Sequence, residues 1–135
     1  MNSCPCGSKK DYTACCEVFI QKKASAPTPE ALMRSRYTAY TQANMDYILR
    51  TMRPPASVGF EPLSAYQWAK SVCWLKLKVV SATKINSADT MTNNQGFVEF
   101  IAYFQENNKK QTIHELSEFH LIDSEWFYVD GKILK

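Results

Sequence analysis

The chain has no long apolar run, no block of basic residues and little glycine. Its best apolar stretch, GFVEFIAYFQ, is about half the roughly 20 residues a membrane-spanning helix needs, and Glu99 sits in the middle of it. No run of lysine or arginine exceeds two residues and the net charge is only +3, so charge gives little reason to expect nucleic-acid binding. Four glycines and six prolines in 135 residues, with 45% hydrophobic and 13% aromatic content, exclude a disordered chain and support a packed core. The residues after Met1 are polar and cysteine-bearing, unlike a secretory leader. The expectation is therefore a cytoplasmic protein, not bound to a membrane, with one ordinary domain and a small appendage.

What the chain does have is concentrated at its start. Four of its five cysteines fall within MNSCPCGSKKDYTACC, as Cys4-x-Cys6, eight residues, then Cys15-Cys16. Thiolates two apart on a tight turn can grip one ion from the same side. Pro5 fixes the backbone between the first pair, and Gly7 permits a sharp turn after it. A second pair closes a tetrahedron, the arrangement zinc prefers with sulfur. In a reducing compartment such clusters bind metal more often than they form disulfides. A disulfide pair and free thiols remain the alternatives. A redox centre lacks the usual Cys-x-x-Cys spacing. The segment is too short to fold on apolar burial alone, so metal binding would supply the missing free energy. Lys9, Lys10, Lys22 and Lys23 lie close in sequence to offset the charge of a four-thiolate site.

CPCGSKKDYTACC resembles the SEC-C motif, the zinc-binding module named after the carboxy-terminal tail of the SecA translocation ATPase. The resemblance implies one structural zinc ion held by Cys4, Cys6, Cys15 and Cys16. In SecA the module docks onto a partner chaperone and the ribosome, which here suggests a protein partner engaged through residues 1–20.

QKKASAPTPE, residues 21–30, reads as a linker, with Thr28 as a helix N-cap, Pro29 at the first helical position and Glu30 at the positive end of the dipole. The unit boundaries are thus 1–20 for the zinc module, 21–29 for the linker and 30–135 for the main domain. Helical periodicity runs from there to Pro54-Pro55, with Met33, Tyr37 and Tyr40 on one stripe and a break at Asn44. Arg36 falls on the same apolar side, and Arg34 points away from it. EPLSAYQWAKSV predicts another helix. The period then changes to two. Leu75, Leu77 and Val79 should share one face of a first strand, CWLKLKVVSATKI, which runs to Ile85, and Val98, Phe100, Ala102 and Phe104 one face of a second. Asn107-Asn108 should turn the chain into a third, with Ile113, Glu115, Ser117, Phe119 and Leu121 on one face, and a last strand should close at Asp130-Gly131. Helices followed by four strands in an antiparallel meander make an α+β fold, with helices packed on one face of a curved sheet.

ALMRSRYTAY, DYILRTMRP and IHELSEF with WFYVDG resemble the YchJ family of bacterial proteins of unknown function. That family joins a SEC-C motif to a cone-shaped domain like nuclear transport factor 2, with a cavity between helices and sheet. The chain departs from it at Leu116-Ser117-Glu118, where members tend to be basic.

Within such a cavity the candidate ligand-binding residues are Arg36, Tyr37, Tyr40, Glu115 and Ser117, with Glu99 as the alternative carboxylate if the other face of its strand is inside. No catalytic residue is assigned. Arg36 and Glu115 are expected to form a buried ion pair. His114 is expected on the face opposite Glu115, which makes that dyad poor. Trp68, Trp74 and Trp126 read as core or cavity lining, and Cys73 as buried and inert. The leading expectation is a non-enzymatic accessory protein whose zinc module docks a protein partner and whose cone binds a ligand or partner. An enzyme using Glu115 and Arg36, or a ribosome- or RNA-associated factor, are the alternatives. An enzyme should place two titratable groups in one closed pocket. A docking module should expose Phe19 and Ile20. The oligomeric state is left open, a dimer included.

Overall fold

The computed structural model describes residues 2–83 and 94–134. A short 3-10 turn, Tyr12–Ala14, leads into helix α1 (Cys16–Ile20). Three further helices follow, α2 (Pro29–Thr41), α3 (Met45–Arg50) and α4 (Pro62–Ser71). Four strands complete the chain: β1 (Cys73–Ala82), β2 (Gln95–Glu106), β3 (Lys109–Ile122) and β4 (Glu125–Ile133). The strands form one antiparallel sheet in the order β1-β2-β3-β4, the expected meander.

Local chemistry sets the helix boundaries. Thr28 Oγ1 accepts from the Ala31 backbone N–H at 3.1 Å, and Pro29 takes the first helical position, where its missing N–H is no loss. Asn44 breaks the helical stripe as anticipated, because its side chain caps α3 by accepting from Tyr47 N. Two hairpins are closed by two-residue turns with both central residues in the left-handed region, Asn107-Asn108 and Asp123-Ser124. Asn and Asp tolerate that conformation better than other side chains.

Three expectations need correction. Asp130-Gly131 does not end the last strand; both residues lie inside β4, opposite Glu118 and Ser117. Leu75 is not on the inner face. A bulge between Trp74 and Lys76 turns Trp74 inward instead and leaves Leu75 45% exposed. Cys73 is exposed rather than buried, since its neighbour Trp74 takes the inward direction and successive strand residues point oppositely. The proposed continuation of the first strand into Lys84 and Ile85 lies outside the described residues.

One core runs through the molecule. Leu32, Met33, Tyr37 and Ile48 from the helices pack with Leu77, Val98, Phe119 and Trp126 from the sheet. Cys4, Cys6, Cys16 and Ile20 belong to the same cluster. The amino-terminal segment is therefore seated on α2. Arg34 Nη1 donates to the Cys6 carbonyl at 2.6 Å, and Arg50 Nη2 donates to the Ile20 carbonyl at 2.8 Å. Within the linker Ala26 is buried, and Ser25 Oγ donates to Glu125 on β4.

Candidate functional site: a cysteine cluster and an aromatic cavity on opposite sides of one helix

The two candidate sites share α2. Arg34 and Thr38, four residues apart, face the cysteines, whereas Met33, Arg36, Tyr37 and Tyr40 face the sheet.

The four sulfur atoms of Cys4, Cys6, Cys15 and Cys16 lie within 4.8 Å of one another, and the set could hold a metal ion. All four cysteines are free of disulfides. Gly7, at φ 81°, makes the turn that returns its N–H to the Cys4 carbonyl. Ser8 Oγ lies 3.2 Å from Cys15 Sγ. Thr38, fully buried, sits under the cluster with its hydroxyl 3.3 Å from Cys16 Sγ and 3.7 Å from Cys4 Sγ. A hydrogen bond from Cys16 draws the Cys6 thiol down to about 4, and the same bond, with burial, pushes Cys16 far above the usual thiol range. Burial raises Cys15 as well. Sulfurs this close share protons in the absence of a cation, and a metal ion replaces those protons. Arg34 brings a side-chain cation to the cluster through its bond to the Cys6 carbonyl. Lys9, Lys10, Lys22 and Lys23 are all exposed. Sequence reading singled out neither Arg34 nor Thr38 for this role. Their i, i+4 spacing opposite the apolar stripe was the available signal.

On the other side of α2 lies a cavity of about 240 Å³ between α2, α4 and the sheet. Strand register orders the sheet face that carries it. Trp74 pairs with Phe104 at one end; next come Leu77, Ala102 and Ile113, then Val79, Phe100 and Glu115, and finally Val98, Ser117 and Gly131. Trp68 closes the first end from α4, edge-on to both Trp74 and Phe104 at 5.3 Å between ring centres. The other end is polar. Ser117 Oγ donates to Glu115 Oε2 at 2.6 Å, and Tyr128 Oη donates to the same oxygen at 3.0 Å. Gly131 makes this packing possible, because a Cβ there would collide with Tyr128 Oη and the Glu115 carboxylate.

Arg36 is 7% exposed, as the helical period requires, but it does not pair directly with Glu115: no ion pair between them within 4.0 Å occurs. Its Nη1 donates to the Ile48 carbonyl at 2.9 Å and to Thr51 Oγ1 at 2.7 Å. The guanidinium lies 4.7 Å from the centre of the Tyr128 ring, whose hydroxyl reaches Glu115. Tyr128 thus links the two charges, its ring against the guanidinium and its hydroxyl on the carboxylate, where a direct salt bridge was expected. Burial lowers the Arg36 pKa. Burial likewise raises the phenols of Tyr37, to about 12, and of Tyr40, Tyr47 and Tyr128.

Of the candidate cavity residues, Arg36, Tyr37, Tyr40, Glu115 and Ser117 line this space. Glu99 does not. It lies on the outer face of the sheet, where its carboxylate meets His114 Nε2 at 2.6 Å, as alternation along β2 dictates. His114 is indeed turned away from Glu115. Tyr128, the centre of the polar end, was not singled out in the sequence, although regular alternation from Trp126 places it inward; the extra residue Val129 then turns Gly131, and not Asp130, to the same face.

No helix of the described residues is long and apolar enough to cross a membrane. A family model described as the middle NTF2-like domain of YchJ matches residues 28–131. A UPF0225 protein of Geobacter sulfurreducens is 40% identical over 99% of this chain and 81% of its own length. A SEC-C motif containing protein of Rhodopseudomonas palustris, solved in solution, is 33% identical with a TM-score of 0.86, covering 99% of this chain and 100% of its own. A crystal structure of a SEC-C motif containing protein from Psychrobacter arcticus superposes with a TM-score of 0.81 at 28% identity, covering 100% of this chain and 84% of its own. The chain belongs to the YchJ family, also called UPF0225, with a SEC-C-type cysteine motif ahead of an NTF2-like domain.

Proposed function

We propose that this protein binds a small molecule in the cavity beneath α2, and that its four cysteines hold one structural zinc ion that fixes the helix from the other side. The observation that carries the first part is the division of the cavity. Apolar and aromatic walls converge on one polar cluster, Arg36, Glu115, Ser117 and Tyr128, the pattern of an orienting ligand site. At about 240 Å³ it falls just below the roughly 300–1,000 Å³ usual for such pockets, which suits a ligand of one or two rings.

For the metal, an all-sulfur donor set favours zinc. With zinc–sulfur bonds of about 2.3 Å, a tetrahedron has sulfurs about 3.8 Å apart. Cys6 Sγ and Cys15 Sγ are 3.7 Å apart. Four protein ligands fill the coordination sphere and give the ion a structural role. The exposed apolar pair that a docking module would offer is missing here. Ile20 is buried and Phe19 half-buried.

A catalytic reading comes second. It is favoured by one fact, that Arg36 and Glu115 line the same cavity, where Glu115 would serve as general base.

Two measurements test the proposal. Elemental analysis of protein purified without added metal should find about one zinc per chain; none would remove the zinc assignment. Small aromatic molecules should shift the indole N–H resonances of Trp68 and Trp74, and Ala102→Leu, which fills the middle of the cavity, should abolish the effect. Shifts that survive Ala102→Leu would place binding elsewhere.

A further inference from the structure

Resting on the reading that the cavity takes a small molecule, we infer which kind. The ligand is a neutral planar molecule with an apolar ring at one end and an amide-type edge at the other, one hydrogen-bond donor beside one acceptor.

The length and polarity of the site follow from the register. Phe104, in the aromatic end, and Phe100, opposite Glu115, are four residues apart on β2, which separates the two ends by roughly 13 Å. Ala102 lies between them and leaves the middle open. A flat apolar body fits against Trp68 and Trp74 at one end and Phe100 near the other.

The polar end defines the edge. Ser117 and Tyr128 each commit their single hydroxyl hydrogen to Glu115 Oε2 and have none to offer a ligand. Glu115 Oε1 has no partner among the described residues. Both hydrogen bonds of Arg36 leave from Nη1, so Nε and Nη2 are also without one. Among the described residues Arg50 Nη1 is the only fully enclosed side-chain nitrogen or oxygen lacking a partner. Glu115 Oε1 and the free Arg36 nitrogens are therefore open to the space they border. One acceptor and one donor remain, with opposite charges.

Opposite charges also select against a charged ligand. An anionic head gains Arg36 and meets the Glu115 carboxylate; a cationic head does the reverse. An amide, lactam or similar edge gives its N–H to Glu115 and its carbonyl to Arg36, leaving neither unpaired. The hydroxyl of Tyr40, whose charged neighbours are Arg36 and Glu115, can adjust to such an edge from α2.

The test compares four probes of one size, toluene, benzamide, benzoate and benzylamine, on the full metal-loaded chain. Affinity is read from the Trp68 and Trp74 indole resonances. Benzamide should bind at least about tenfold tighter than the other three, because a site built around hydrogen bonds penalises a partner that leaves them unmade. Glu115→Gln should reverse the order in favour of benzoate, since Arg36 then stands unopposed. Toluene binding as well as benzamide, benzoate or benzylamine matching it, or Glu115→Gln leaving the order unchanged, would overturn the edge assignment while the cavity reading stands. If no probe shifts these resonances, toluene included, both fail. Should Glu115→Gln not fold, the ranking on the native chain decides alone.

Discussion

Replacing Arg36 by methionine separates a direct salt bridge from the ring-bridged arrangement observed. Methionine keeps much of the length and loses the charge. The substitution removes two hydrogen bonds from a charged donor, at about 1.5–3 kcal/mol each, and a cation–π contact of roughly 1–2 kcal/mol with Tyr128. Against this, a buried guanidinium no longer has to be kept out of water, which returns several kcal/mol. Thr51 Oγ1 keeps its bond to the Tyr47 carbonyl at 2.7 Å, so only the Ile48 carbonyl is left poorly satisfied. The net expectation is a loss of about 2–4 kcal/mol. In urea, with a slope of about 1–3 kcal/mol per molar for a chain of this size, the midpoint falls by roughly 1–2 M. The coupling to Glu115 is the decisive quantity. Across the width of a tyrosine, roughly 7 Å, an effective dielectric near 20 gives about 2 kcal/mol. A cycle of Arg36→Met, Glu115→Gln and the double variant should therefore return about 1–2 kcal/mol. A direct buried pair would give about 3–5 kcal/mol. A coupling of that size, or one indistinguishable from zero, would refute the arrangement.

Gly131→Ala should destabilise by about 1–3 kcal/mol and displace the Glu115 carboxylate, because the added methyl has no room beside Tyr128 Oη; unchanged urea stability would contradict it. Thr38→Val keeps the shape under the cluster and removes the hydroxyl from Cys16, so competition against a chelator should show metal affinity about 10–100-fold weaker. The tyrosines give a pH signature. Tyr37, Tyr40, Tyr47 and Tyr128 have folded pKa values raised above the unfolded value near 10. Their contribution is therefore complete below about pH 10 and is lost as pH rises through the folded values, about 12 for Tyr37. Absorbance at alkaline pH should show phenols ionising together with unfolding, and free titration near pH 10 without unfolding would count against their burial.

The sequence by itself determined the elements and most residues of both candidate sites, Arg34, Thr38 and Tyr128 excepted. Periodicity marked the helices and strands, because an amphipathic element must repeat its apolar residues at the period of its own geometry. The Cys-x-Cys and Cys-Cys spacing marked the four cysteines that cluster and could hold a metal ion. The turn at Asn107-Asn108 followed from side chains that accept a left-handed backbone. Arg36, Glu115 and Ser117 could be placed inward by counting, since an unbroken helix or strand keeps its phase.

Counting fails wherever phase is lost or where two distant segments meet. Bulges in β1 and at Val129 of β4 shifted Leu75 outward and turned Gly131 inward in place of Asp130, and a single inserted residue leaves little trace in composition. Partners across the core are a different matter. Whether Arg36 meets Glu115 or Tyr128 depends on where α2 lies along the sheet, to within a few ångströms, and that is fixed by packing over many residues at once. The same holds for the cysteine module. QKKASAPTPE has the composition of a loose connector, yet Arg34, Thr38 and Arg50 reach from α2 and α3 to its neighbour, and Ile20 is buried in the common core. Composition reports what a segment would do alone. Its contacts depend on which surface the rest of the chain presents to it, and only the tertiary structure supplies that surface.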